Sequence, residues 1–328
     1  MRTRLLAIFG CLLLLVPFIY TTPTAIMAAR SAPSEACPPR GWAPQEFGLK
    51  DHTIFWYNGA YYLASIYLAT SHYEDRFAYA RSVDLCNWEE LDPILTERQT
   101  GTWDEFRIWA PFVFEEDGVY YLYYTGVTND ITQSTMLATS TNPADPTAWT
   151  PRGMIFQPQH SGMNWQGPGH WSDARDPTVL KANGRYYLYY TGADQDGGIV
   201  GVATADNPVG PWRDWGAMIN GGGGMLESPG VIEHDGWYYL FYNHTGPAIG
   251  PQISIGPTPA GPWSSSSDLQ PGWAHEIWTA PDGTWMTSYL TSYSVTISPV
   301  HWIGTAPSRP FIAEQVWRSL VPGIQVSK

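Results

Sequence analysis

Positive charge is scarce in this 328-residue chain: 17 Lys and Arg stand against 30 Asp and Glu, a formal net charge of −13. No run of five basic residues occurs. That argues against a nucleic-acid partner, whose phosphates demand clustered cations, and against a basic membrane-surface patch. Charged residues of both signs make up only 14% of the chain, well under the roughly 25% of an average domain. Cysteine is almost absent, with three residues and no Cys-x-x-Cys pair, so zinc-ribbon and dithiol redox chemistry are not indicated. The Gly221–Gly224 run is not followed by Gly-Lys-Ser/Thr; it reads as a flexible loop, not a phosphate cradle. His275-Glu276 has Thr279 where a helical zinc site needs a second His. No Gly-x-Ser-x-Gly elbow is present.

Long apolar stretches are missing too, apart from Leu5 to Ile19. Arg2 and Arg4 precede that run, and small residues ending at Ala28 and Ala29 follow it. This is the order of a secretory signal, and residues 1–29 are expected to be one, with cleavage near Ala29; an uncleaved anchor is the alternative. The run is about 15 residues, short of the roughly 20 that cross a bilayer. A secreted or periplasmic chain with no membrane association after cleavage follows. Cys11 lies inside the run; Cys37 and Cys86 can pair in an oxidising compartment or stay separate thiols.

What is present is aromatic: 17 Trp, 20 Tyr and 11 Phe, within a hydrophobic share of 44% that excludes a disordered chain. Gly (32) and Pro (28) are plentiful, which means many turns. A repeat organises them. Asn58-Gly59, Asp117-Gly118, Asn183-Gly184, Asp235-Gly236 and Asp282-Gly283 recur every 47–66 residues. Asn-Gly and Asp-Gly are the two-residue turns whose twist suits a β-hairpin. A short apolar run precedes each, and an aromatic run such as Tyr120–Tyr124 follows, so each unit holds a hairpin with strand-prone arms. A third strand and a Trp-terminated turn come next, as in Asn142-Pro143…Trp149 and Asn207-Pro208…Trp212. No sustained helical period appears. The reading is all-β: a single five-bladed β-propeller over 45–320, preceded by a tail at 30–44 and followed by one at 321–328.

Counting back eight residues from each turn glycine reaches Asp51, Ala110, Asp176, Ser228 and His275, with Glu227 one residue earlier than Ser228. In a propeller the first strand of each blade lines the central channel. Its first residues open on the channel mouth, so three carboxylates from three blades would converge on one funnel. An Asp before a strand is often a mere turn residue. Acids at the same place in several repeats are harder to read that way, because charged groups are seldom buried without use. Such a set suits glycosidic hydrolysis, in which one carboxyl protonates the leaving oxygen and a second attacks or activates water. A third can raise the acid's pKa and hold the sugar. Trp103, Trp109, Trp165 and Trp171 precede the inner strands of blades two and three, as core residues or as flat platforms for sugar rings. His160 and His170 belong to the loop before blade three.

The residues resemble a known group at this point. Ala174-Arg175-Asp176-Pro177 before Asn183-Gly184 and Tyr186-Tyr187-Leu188 resembles the Arg-Asp-Pro blade of five-bladed propeller glycosidases. Glu227-Ser228-Pro229 before Gly236-Trp237-Tyr238-Tyr239-Leu240 does so too, and Trp109-Ala110-Pro111 looks like the second-blade motif of glycoside hydrolase family 43. Arg-Asp-Pro and Glu-x-Pro are shared with family 32, whose Asn-Asp-Pro-Asn-Gly motif is missing here; His52, not Pro, follows Asp51. The resemblance implies Asp51 as general base, Asp176 as pKa modulator and orienter, and Glu227 as general acid. Arg175, Trp109, His52 and Trp171 are the expected substrate contacts. His275 matches an axial histidine that lies near a cation, so calcium or another ion on the axis is expected without being required. The expected activity is hydrolysis of arabinose-, xylose- or fructose-type bonds in an oligo- or polysaccharide, with inversion. A retaining hydrolase or transferase and a non-catalytic sugar-binding propeller are the alternatives.

Overall fold

In a computed structural model, residues 40–246, 250–269 and 272–312 are described. The expected signal at 1–29, Cys37 and the tail at 321–328 lie outside them. No helix among the described residues is long and apolar enough to cross a membrane.

Five antiparallel sheets follow one another along the chain and form a five-bladed β-propeller. Blade one runs through Gly48–Tyr57, Ala60–Leu68, Tyr73–Ser82 and Glu89–Ile94. Blade two begins with Arg107–Glu116, blade three with Ala174–Ala182 and blade four with Leu226–His234. Blade five begins with Trp273–Thr279 and continues through Trp285–Thr291 and Ser294–Ile303. Its outer edge is shared by two chain segments. Arg40–Trp42 pairs with Val295–Ile297, and Arg309–Ile312 pairs with Val300–Ile303. The propeller therefore reaches back to Arg40, because part of the stretch expected as a tail supplies an edge strand to the last blade.

The Asn/Asp-Gly pairs make the expected turns. Asn58, Asp117, Asn183 and Asp235 all have positive φ, as do the glycines after them, the backbone that the mirror-image hairpin turn requires. Blade five differs. Thr279 pairs with Trp285, so its connection is the five-residue loop 280–284.

The tyrosine surplus has a structural use. Tyr79, Tyr123, Tyr189 and Tyr239 are completely buried, and each donates its hydroxyl to a carbonyl in the next blade: Pro143, Pro208, Pro259 and Ser308, at 2.6–2.9 Å. Each ring thus buries a large apolar area and satisfies its polar end at one blade junction. Cys86 is disulfide-bonded, and its partner lies outside the described residues.

Candidate active site

Every inner strand carries the same irregularity. Its pairing slips by a residue near its start, and the residue there has positive φ: Asp51, Ala110, Asp176, Ser228 and Ala274. These bulges bend five strands toward the axis at one level and re-aim their side chains. The residue before each kink is Lys50, Trp109, Arg175, Glu227 or Trp273. The residue after it is His52, Pro111, Pro177, Pro229 or His275. His275 is therefore the partner of His52, not of Asp51 and Asp176. Counting from the turn glycine misplaced it by one because the loop 280–284 is longer than a two-residue turn.

A funnel of about 190 Å³ lies on this level, lined by Lys50, Asp51, Trp109, Trp171, Arg175, Asp176, Glu227, Ser228 and Trp273. Six of the eight residues expected at the site are here. Below it the propeller axis holds a channel of about 260 Å³, whose lining shares Asp51, Asp176 and Ser228 with the funnel. His52 and His275 line that channel and not the funnel. The expectation that His52 contacts substrate is corrected: one position past the kink, its side chain lies 4% exposed, with no hydrogen-bond partner on either ring nitrogen. Desolvation, helped by nearby His275, pushes its imidazole down to about 3, so it is neutral.

Three acids meet at the funnel floor. Asp176 is buried; its Oδ2 accepts from Thr191 Oγ1 at 3.1 Å and from the Ser228 N–H at 2.9 Å. The Arg175 guanidinium faces three carboxylates. Nη1 pairs with Asp173, Nη2 donates to Glu227 Oε1 at 2.9 Å, and Nε lies 3.9 Å from Asp176 Oδ2. Asp51 is pushed up to about 7, first by desolvation and then by Asp176 and Glu227, with Lys50 and Arg175 opposing.

The aromatic walls are pinned by their indole nitrogens. Trp109 Nε1 donates to Glu74 Oε2 at 2.8 Å, and Arg107 Nη1 reaches the same oxygen at 3.0 Å. With its amide turned to suit both donors, Asn243 accepts from Trp273 Nε1 and from the Ala274 N–H, each at 3.0 Å. Trp171 stands 58% exposed at the rim, its Nε1 donating to Asp173 at 3.0 Å. Lys50, Trp273, Glu74 and Asp173 escaped the sequence reading. Stepping one residue ahead of every kink would have found the first two; nothing in the sequence marks Glu74.

Glu276, marked in the sequence only by a zinc motif it fails to complete, is a further desolvated acid. Inside the channel its Oε2 accepts from the Ile54 N–H of blade one at 3.0 Å, and desolvation pushes it up to about 8. Among the described residues no three of His, Cys, Asp and Glu converge in a metal-holding group. His275 lines the axial channel, where the cation is expected, and no step below runs through a metal.

Comparison with known proteins agrees with this geometry. Residues 46–163 match the model of glycosyl hydrolases family 43. A probable arabinan endo-1,5-α-L-arabinosidase C of Aspergillus clavatus is 31% identical over 180 residues, 51% of each chain. An extracellular endo-α-(1→5)-L-arabinanase 2 of Bacillus subtilis is 30% identical over 127 residues, 36% of this chain and 25% of that one. The chain thus spans from a quarter to about half of these curated relatives. A thermostable family-43 glycoside hydrolase of known structure superimposes with a TM-score of 0.63 at 18% identity, over 84% of this chain and 95% of that one. The resemblance to the five-bladed propeller glycosidases of family 43, read from the blade motifs, holds.

Proposed function

We propose that this family-43-like propeller is a secreted glycoside hydrolase acting on arabinose-type bonds of a polysaccharide, with inversion. The observation that carries the reading is the convergence of Asp51, Asp176 and Glu227, from blades one, three and four, in one funnel walled by tryptophans. The names of the curated relatives favour arabinan over the xylose- and fructose-type substrates also expected from the sequence. In the reaction Asp51, ionised, takes a proton from water. The oxygen of that water bonds to the anomeric carbon, the glycosidic C–O bond breaks, and the leaving oxygen takes the proton of Glu227. Arg175 and Asp176 hold the sugar and the acid, and Trp109, Trp171 and Trp273 offer flat apolar walls.

A second assignment of roles has one observation in its favour. In the resting site the proton-retaining carboxyl is Asp51, at about 7, while Glu227 is paired with Arg175. A carboxyl whose surroundings raise its pKa toward neutrality is suited to the acid role, which here would make Asp51 the acid. Activity on debranched arabinan, arabinoxylan, xylan and a fructan, with proton NMR of the first-formed product, tests the substrate and the stereochemistry. Chemical rescue tests the roles. Azide should rescue Asp51→Gly if Asp51 is the base, and Glu227→Gly if the roles are exchanged. Glycan binding without turnover at any pH would replace both readings with a binding propeller.

A further inference from the structure

Asp173 lies just ahead of the inner strand of blade three and is 8% exposed. Two contacts meet on its Oδ1. The Trp171 indole N–H donates to it at 3.0 Å, and Arg175 Nη1 pairs with it. The other end of the same guanidinium donates to Glu227 Oε1 at 2.9 Å. An exposed indole at the funnel rim is thus joined to Glu227 through one carboxylate and one guanidinium.

We propose that Asp173 is a positioning residue for the reaction: it shares the Arg175 charge with Glu227, so that Glu227 can carry its proton, and it fixes the plane of Trp171 at the rim. The inference rests on Glu227 being the general acid. Arginine is always charged, and its rigid fork stabilises whichever carboxylates it meets. Every carboxylate on the guanidinium competes with Glu227 for its charge, and Asp173 is the one paired directly with Nη1. With Asp173 on Nη1, the positive charge is divided, and a second negative charge stands nearby.

Asp176 also draws on the Arg175 charge, from 3.9 Å at Nε, but it makes no hydrogen bond to the guanidinium, whereas Asp173 sits directly on Nη1. Asp51 and Lys50 reach Glu227 electrostatically from blade one, and Glu74 acts on Lys50. Its cross-strand neighbour in blade four is neutral Asn243.

The test compares Asp173→Asn with Asp173→Glu. The first keeps the size and an acceptor for Trp171 but removes the charge; the second keeps the charge. On aryl glycosides, Asp173→Asn should move the basic limb of kcat/KM down by about one pH unit. On that limb a substrate with a poor leaving group should lose about tenfold more than one with a good leaving group. Asp173→Glu should return the limb toward the parent position. A loss of the same factor at every pH and for both leaving groups would show a merely structural role and overturn the proposal. A carbon-13 carboxyl NMR titration of Glu227, assigned through Glu227→Gln, gives a readout independent of turnover. A downward move in Asp173→Asn supports the coupling even if no glycoside is hydrolysed, in which case the hydrolase reading alone falls. An unmoved titration in an active enzyme removes the coupling and leaves the hydrolase reading standing.

Discussion

The backbone N–H of Ser228 donates to Asp176 Oδ2 at 2.9 Å, so the kink of blade four hangs on the acid of blade three. Glu227 immediately precedes that N–H, and Arg175 immediately precedes that acid. The two blades therefore set the funnel geometry together, and a change of charge at Asp176 reaches both neighbouring acids.

Asp176→Asn keeps an oxygen for Ser228 and Thr191 but removes the charge. Asp176 is the largest Coulombic contributor to the raised Asp51 pKa, so the acidic limb of kcat/KM should fall by about one pH unit. Losing the same charge should make the Glu227 proton easier to lose and lower the basic limb as well. The whole bell is expected to shift toward acid, with reduced height. A bell that keeps its position while losing height would leave Asp176 only a sugar-binding role.

The titration of Asp51, raised to about 7, should show in the pH profile. With Asp51 as base and Glu227 still protonated at that pH, activity falls as pH drops through about 7; with Asp51 as acid, activity falls as pH rises through it. In the first case kcat/KM should drop up to tenfold per pH unit below that value. Lys50 opposes the rise, so Lys50→Met should move this limb to higher pH. A limb near the ordinary carboxylate range in the parent protein would contradict the base assignment or the desolvation behind it.

Glu227→Gln should reduce turnover by about 10²–10⁴-fold, because Gln fits the space but donates no acid proton. The loss should be much smaller for an aryl glycoside with a very good leaving group. Equal losses on good and poor leaving groups would remove Glu227 from the acid role.

Glu276→Gln should change how stability depends on pH. Its folded-state pKa of about 8 lies above the 4.5 of the unfolded chain. Below 4.5 both states hold the proton, and the full benefit of burying a neutral carboxyl is present. Between 4.5 and about 8 only the folded state keeps it, so the parent loses stability as pH rises, by at most about 1.4 kcal/mol per pH unit. Gln does not titrate. Denaturant midpoints of parent and variant should therefore diverge across that window in favour of the variant, and parallel curves would show that Glu276 is ionised in the channel.

Tyr189→Phe should cost about 1–3 kcal/mol of stability, because it leaves the buried Pro259 carbonyl without its donor. The tie joins blades three and four away from the funnel lining, so kcat and KM should stay unchanged in the folded variant. Chemical denaturation beside steady-state kinetics checks both halves.

The sequence alone carries the repeat. Asn/Asp-Gly turns, each followed by aromatic strands, suffice for a five-bladed propeller because turn chemistry and strand propensity are local properties. Position within the repeat picks out Asp51 and Asp176, with Glu227 one residue ahead of the same place in blade four; Trp109 and Arg175 share that preceding place, and Trp171 lies in the loop before blade three. The tertiary structure decided the rest. The loop 280–284 shifted blade five by one residue, which made Ala274 the fifth kink and sent His275 with His52 into the channel. Lys50 and Trp273 became wall residues because bulges on neighbouring strands aim them at the same space. Glu276 keeps its proton, and Asp51 holds its own to about 7, because other blades desolvate them and bring Asp176 and Glu227 within electrostatic reach. Burial and charge coupling are sums over residues distant in the chain, so no local pattern of the sequence expresses them.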